Sequence, residues 1–125
     1  MAVSDGYVGL LKDLLADFAP VSARRMFGGV GLFTDGVMFA LLIDDVLYLK
    51  ADDTTRSSFE VEGLSPFSYE RSGRTVALSY WRAPERLLDD AGELHAWASR
   101  ALVVARKASA PPRRKAGKPK RRKPL

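Results

Sequence analysis

Apolar residues recur at Val8, Leu11, Leu14, Leu15 and Phe18 with Lys12, Asp13 and Asp17 opposite, so a first helix is predicted from a Ser4-Asp5 cap to a stop at Pro20. The period then changes. Val37 to Ile43 is apolar at every position, as in a strand covered on both faces, and Thr34-Asp35-Gly36 before it is a strong hairpin cue. A second turn at Asp44-Asp45 leads into Val46 to Lys50, giving a three-stranded antiparallel meander to which Val21–Met26 adds an edge.

Beyond the meander, Asp52-Asp53 offers an N-cap for a short helix through about Phe59, ended near Gly63. Phe67-Ser68-Tyr69 and Thr75 to Tyr80 alternate around Ser72-Gly73, which predicts a second hairpin with Phe67 and Tyr69 facing partners among Val76, Leu78 and Tyr80. Pro84 suits the first turn of a helix, and Gly92 argues for a break. Asp90-x-x-Glu93 resembles a capping box that restarts a helix with Leu94, Trp97, Ala98, Ala101, Leu102 and Ala105 on one face. Runs of strands rather than strict strand–helix alternation place the chain in the α+β class: an antiparallel sheet of five to six strands with N- and C-terminal helices packed on it, in the order helix, three or four strands, helix, two strands, helix.

Charge divides the chain in two. From Arg106 onward there are ten Lys or Arg and no acid, although the whole chain is only +5; the ten basic and 15 acidic residues before that point leave a net charge of −5. An acidic domain at residues 1–107 is therefore followed by a basic tail at 108–125, which has little to bury and is expected to be disordered. Arg113, Arg114, Lys115, Lys118, Lys120, Arg121, Arg122 and Lys123 are the candidate contacts to DNA or RNA phosphates, contacts that add affinity without reading sequence. A solubilising terminus, or one that folds back on the acidic domain, is the alternative. The absence of cysteine rules out disulfides, thiolate metal sites and a cysteine nucleophile, and with no apolar run of membrane-spanning length the expected setting is the cytoplasm, away from membranes.

Chemistry-bearing motifs are sparse. Gly28-Gly29-Val30-Gly31 has the glycines of a phosphate cradle, but Leu32-Phe33 follows where a helix N-terminus is required, so a structural bend is expected. Arg24-Arg25 is the densest cationic spot in the acidic domain, and the plainer expectation is one ion pair and one solvated arginine. Tyr80-Trp81-Arg82 holds the ingredients of a base-stacking platform, yet alternation puts the two aromatics on opposite faces. His95 lies off the helical stripe and is expected at the surface, without a partner for general-base work. Asp44-Asp45, Asp52-Asp53 and Asp89-Asp90 fit a turn and helix starts, not the alternating spacing of a calcium loop. No catalytic residue, metal ligand or cofactor is expected.

Arg24-Arg25-Met26-Phe27-Gly28-Gly29-Val30-Gly31-Leu32-Phe33, then Asp35-Gly36-Val37-Met38-Phe39-Ala40, Leu47-Tyr48-Leu49-Lys50-Ala51-Asp52 and Ser79-Tyr80-Trp81-Arg82-x-Pro84-Glu85 closely resemble the N-terminal domain of TfoX/Sxy proteins, bacterial regulators of competence. The resemblance covers roughly residues 5 to 105 and implies the same α+β sheet. It further implies a non-enzymatic role in transcription regulation together with the cAMP receptor protein or another transcription factor. It marks Arg24, Arg25, Phe27, Gly28, Gly29, Tyr80, Trp81 and Arg82 as a possible partner surface. Longer competence regulators carry a second, C-terminal domain where this chain has its basic tail. The alternative role is a general protein-interaction or nucleoid-associated module without promoter function.

Overall fold

Three tight turns set the sheet. Asp35-Gly36, Asp44-Asp45 and Ser72-Gly73 each take left-handed φ at both central residues (53° and 80°, 53° and 57°, 52° and 78°), the signature of a type I′ turn. Asp tolerates this conformation better than most residues, because its short polar side chain can bond locally.

A computed structural model describes residues 3–26 and 28–109. Helix α1 (Asp5–Leu14) leads into strands β1 (Ser22–Met26), β2 (Gly29–Thr34), β3 (Val37–Ile43) and β4 (Val46–Lys50). Helix α2 (Arg56–Glu60), strands β5 (Pro66–Arg71) and β6 (Arg74–Arg82), a 3-10 helix (Glu85–Asp89) and α3 (Ala91–Ser109) follow. All strand pairs are antiparallel, in the order β1-β2-β3-β4-β6-β5. The fold is α+β, a six-stranded open sheet, and the edge strand expected at Val21–Met26 is present as β1.

The helices cover one face of the sheet. Leu11 and Leu15 from the α1 region, Phe59 from α2 and Leu94, Ala98 and Ala101 from α3 are buried against Val30, Leu32, Leu42 and Leu49. Full burial of each such Leu or Phe side chain is worth about 1.5–3 kcal/mol, so this layer carries most of the stability. Phe59 joins its parts, with its ring 5.0 Å from Trp97 on α3 and 6.0 Å from Trp81 on β6.

The wholly apolar run of β3 has a specific explanation. Leu32 pairs with Ala40 while the next residue, Phe33, pairs with Met38, so Phe39 is an extra residue in β3. Phe39, Ala40 and Leu42 all join the helix-side core, whereas Leu41 and Ile43 are buried outside it. One strand thus carries apolar residues to both faces.

Several helix ends differ in detail from expectation. Asp52 does not cap α2 directly: its carboxylate accepts from the backbone and hydroxyl of Thr54, and its carbonyl accepts from Thr55 and Arg56, forming a turn before the helix. The end near Gly63 is as expected, with Leu64 N–H donating to Phe59 O and Gly63 N–H to Glu60 O around a left-handed glycine. Pro84 precedes a 3-10 helix, and Gly92 falls within the first turn of α3. Asp90 accepts from Glu93 N–H as a capping residue, but the Glu93 carboxylate turns to Arg86 instead of completing the box.

Candidate interaction surface

Around the sequence-marked Gly28–Gly31 segment, the structure builds a bend and a close-packed face. Gly28 takes φ +73° after β1. A Cβ on Gly29 would strike the Leu42 carbonyl, and one on Gly31 would sit 2.5 Å from Met38 Sδ. Gly28 gives the bend expected of this segment, whereas Gly29 and Gly31 let the Leu42 backbone and the Met38 side chain approach β2 closely.

Arg24 and Arg25 diverge. By register Arg25 faces the helices, and its guanidinium donates to Asp5 Oδ1 at 2.7 Å and to Val3 O at 3.3 Å. Arg24 lies on the opposite face with its guanidinium carbon 5.4 Å from the Phe33 ring centre. The adjacent pair is thus not one anion site.

Tyr80 and Trp81 are also split between faces. Trp81 packs with Phe59 on the helix side, while Tyr80 turns to the uncovered face and Lys50 Nζ sits 5.0 Å from its ring centre. Burial pushes the Tyr80 phenol up to about 12 and draws the Lys50 ammonium below its usual range. Arg82 reaches only 3.9 Å from Glu85. Phe27 and the tail residues Arg113, Arg114, Lys115, Lys118, Lys120, Arg121, Arg122 and Lys123 lie outside the described residues.

His95 is not a surface residue. It is half-buried, with Nε2 2.8 Å from Leu14 O and its ring 5.8 Å from that of Phe18, so it joins α3 to the end of α1. Its place beside Leu94 on the border of the apolar stripe brings it under the α1 terminus. Among the described residues no cluster of His, Asp or Glu is arranged to hold a metal ion, and no helix is long and apolar enough to cross a membrane.

Among the described residues no helix covers the second face of the sheet. Leu41, Ile43, Phe67, Tyr69 and Leu78 line a groove of about 410 Å³ there. Its aromatics pack on one another, with Phe67 stacked on Tyr69 at 6.4 Å and edge-on to Tyr48 at 5.5 Å. Register also assigns this face Arg24, Lys50, Arg71, Arg74 and Arg82, and among the described strand residues it holds no carboxylate. Sequence reasoning singled out neither Arg71 nor Arg74, and marked Tyr69 only as a hairpin residue sharing a face with Phe67. Alternation along β5 and β6, combined with the register, was the signal that groups them.

On the helix side several arginines are paired. Arg86 is held by Glu62 and Glu93 at 2.6–3.2 Å, and Arg106 reaches Asp35 at 3.0 Å. The Arg86 guanidinium holds both glutamates below the usual carboxylate range.

Comparison with known proteins places these features. Over 76 residues the chain is 30% identical to Protein Sxy of Escherichia coli (strain K12), covering 61% of this chain and 36% of that protein. Over 62 residues it is 34% identical to DNA transformation protein TfoX1 of Aliivibrio fischeri (strain ATCC 700601 / ES114), covering 50% of this chain and 30% of that protein. The aligned part spans about a third of the length of these curated relatives. Residues 13–105, from the end of α1 to the last buried turn of α3, match the TfoX N-terminal domain, and the chain belongs to that family.

Proposed function

We propose that this chain is a non-enzymatic regulatory adaptor of the competence type, whose acidic folded domain engages a protein at a promoter while its basic C-terminal sequence adds nonspecific affinity for DNA. The family membership over residues 13–105 carries the reading, and one of the relatives bears the name DNA transformation protein. Charge separation within the chain supports the division of labour, since ten basic residues from Arg106 onward follow a region of net charge −5. A transcription factor such as the cAMP receptor protein is the partner class this role requires, and the cytoplasm is its setting.

Fluorescence anisotropy with duplex DNA tests the nucleic-acid half, comparing the full chain with a variant in which the eight Lys and Arg from Arg113 to Lys123 are glutamine. Five phosphate contacts give a log–log salt slope of roughly −4 to −5, which the variant loses. Unchanged binding by the variant sinks the role of the tail. The protein half is tested by gel shift on a promoter carrying a cAMP receptor protein site. A ternary band that needs both proteins supports the adaptor, whereas DNA binding with no recruitment favours a general nucleoid-associated module.

A further inference from the structure

We propose that the uncovered sheet face is a docking groove for an acidic protein segment carrying large apolar side chains. The inference rests on the reading that the folded domain works through a protein partner, and it names the surface and the chemistry of that partner.

The groove floor is apolar. Leu41 and Ile43 are buried on β3 although no helix lies above them, because Phe67, Tyr69 and Leu78 of the β5–β6 hairpin face them across the groove. At about 410 Å³ the space accepts a few apolar side chains, and Tyr69 remains 38% exposed at its edge. Burial of that floor is the favourable term for an occupant.

Charge selects the occupant. Arg24, Arg71, Arg74 and Arg82 share this face; among the described residues Arg24, Arg71 and Arg74 make no ion pair, and the Arg82 pair is a loose 3.9 Å. Arg25, Arg56, Arg86 and Arg106, by contrast, hold carboxylates at 2.6–3.3 Å. A face with these four arginines, Lys50 and no strand carboxylate disfavours both a second copy laid face to face and the basic tail of the same chain, since each juxtaposes like charges. Carboxylates from a partner complement it, with Arg able to bind them in two-point geometry.

Protein is favoured over single-stranded nucleic acid because the aromatic faces are occupied. Phe67 stacks on Tyr69, Arg24 covers Phe33 and Lys50 covers Tyr80, which leaves little free ring surface for bases. The free edge of β5 beside the groove also allows a partner strand to add to the sheet and place alternate side chains on the floor.

A displayed library of random short peptides, selected on the full chain, provides the test. The comparison protein is the full chain carrying Tyr69→Asp and Arg74→Glu, two exposed positions, with circular dichroism to verify its fold. Selected peptides should combine Asp or Glu with large apolar residues, and should bind the double variant at least about tenfold more weakly. Since both proteins keep the basic tail, peptides held by the tail alone bind them equally and are discarded.

Three outcomes overturn the proposal: selected peptides without acidic residues, equal binding to both proteins after selection, or a dimer of the full chain in sedimentation that the double variant dissociates. Displacement of the peptides by an oligothymidylate, with amide shifts confined to this face, assigns the groove to nucleic acid and overturns it as well. None of these results depends on DNA binding by the tail, so the groove and the tail fail separately.

Discussion

Tyr80 on β6 reaches across β4 to donate its hydroxyl to the Met38 carbonyl of β3 at 3.0 Å. The bond spans three strands on the uncovered face and satisfies a carbonyl beside the extra residue Phe39. Tyr80→Phe should cost about 0.5–1.5 kcal/mol of stability at neutral pH by urea denaturation. Burial raises the phenols of Tyr80 and Tyr7 to about 12 from 10.0, so the folded state holds their protons longer than the unfolded chain. That contribution is fully present below pH 10 and is lost as pH rises towards 12. The phenylalanine variant should therefore lose less stability over this window than the parent, and identical slopes would refute the assignment.

Gly29 and Gly31 occupy alternate positions on β2 but should respond differently to alanine. Gly29→Ala presses a methyl against the backbone carbonyl of Leu42, which cannot swing aside, and should cost about 1–3 kcal/mol or more. Gly31→Ala meets the sulfur ends of Met38 and Met26, which are flexible, and should cost less. Urea midpoints with the order reversed would contradict the packing described.

Arg86 ties the turn after α2, the 3-10 helix and α3 together through Glu62 and Glu93. Both carboxyl groups ionise at lower pH when folded than their ordinary 4.5, so their contribution is present above that pH and disappears as the pH falls through the depressed folded values. Arg86→Gln should be less stable than the parent near neutrality, with the difference shrinking below pH 4.5. A stability gap that stays constant into acid would show that Arg86 acts only through packing.

Asp45 accepts from both the backbone and the hydroxyl of Ser4, at 2.9 and 3.1 Å, while the Ser4 hydroxyl also caps α1 at Tyr7 N–H. The β3–β4 turn thereby fixes the start of the first helix. Ser4→Ala and Asp45→Ala should each cost about 0.5–2 kcal/mol. Combined, they should cost less than their sum, because the hydroxyl–carboxylate bond the two side chains share can be lost only once. Full additivity in thermal denaturation would separate the cap from the turn.

Local turn chemistry made the sheet readable. Asp35-Gly36, Asp44-Asp45 and Ser72-Gly73 are short-range signals, and the strands they join follow from the apolar runs on either side. The partition of Tyr80 from Trp81 came from alternation alone. Long-range facts were not readable in the same way. His95 is half-buried only because the end of α1 lies against it, and Glu93 leaves its capping box for Arg86, which is seven positions away in sequence and belongs to another element. The cations of the uncovered face come from β1, β4, β5 and β6, and only strand order and register bring them onto one surface. Such groupings depend on pairings between distant segments, which a local pattern does not encode.

The extra residue Phe39 divides β3 into two reading frames. Val37 before it and Ala40 after it share the helix side, although strict alternation from Val37 assigns Ala40 to the opposite one. A chain that lost this single residue would recover strict alternation, keeping the counterpart of Met38 on the uncovered face and that of Val37 on the helix side while removing the Phe39 ring from the core. Alignments of related sequences that slide a gap through this strand without regard to the bulge will therefore exchange the inside and the outside of the protein.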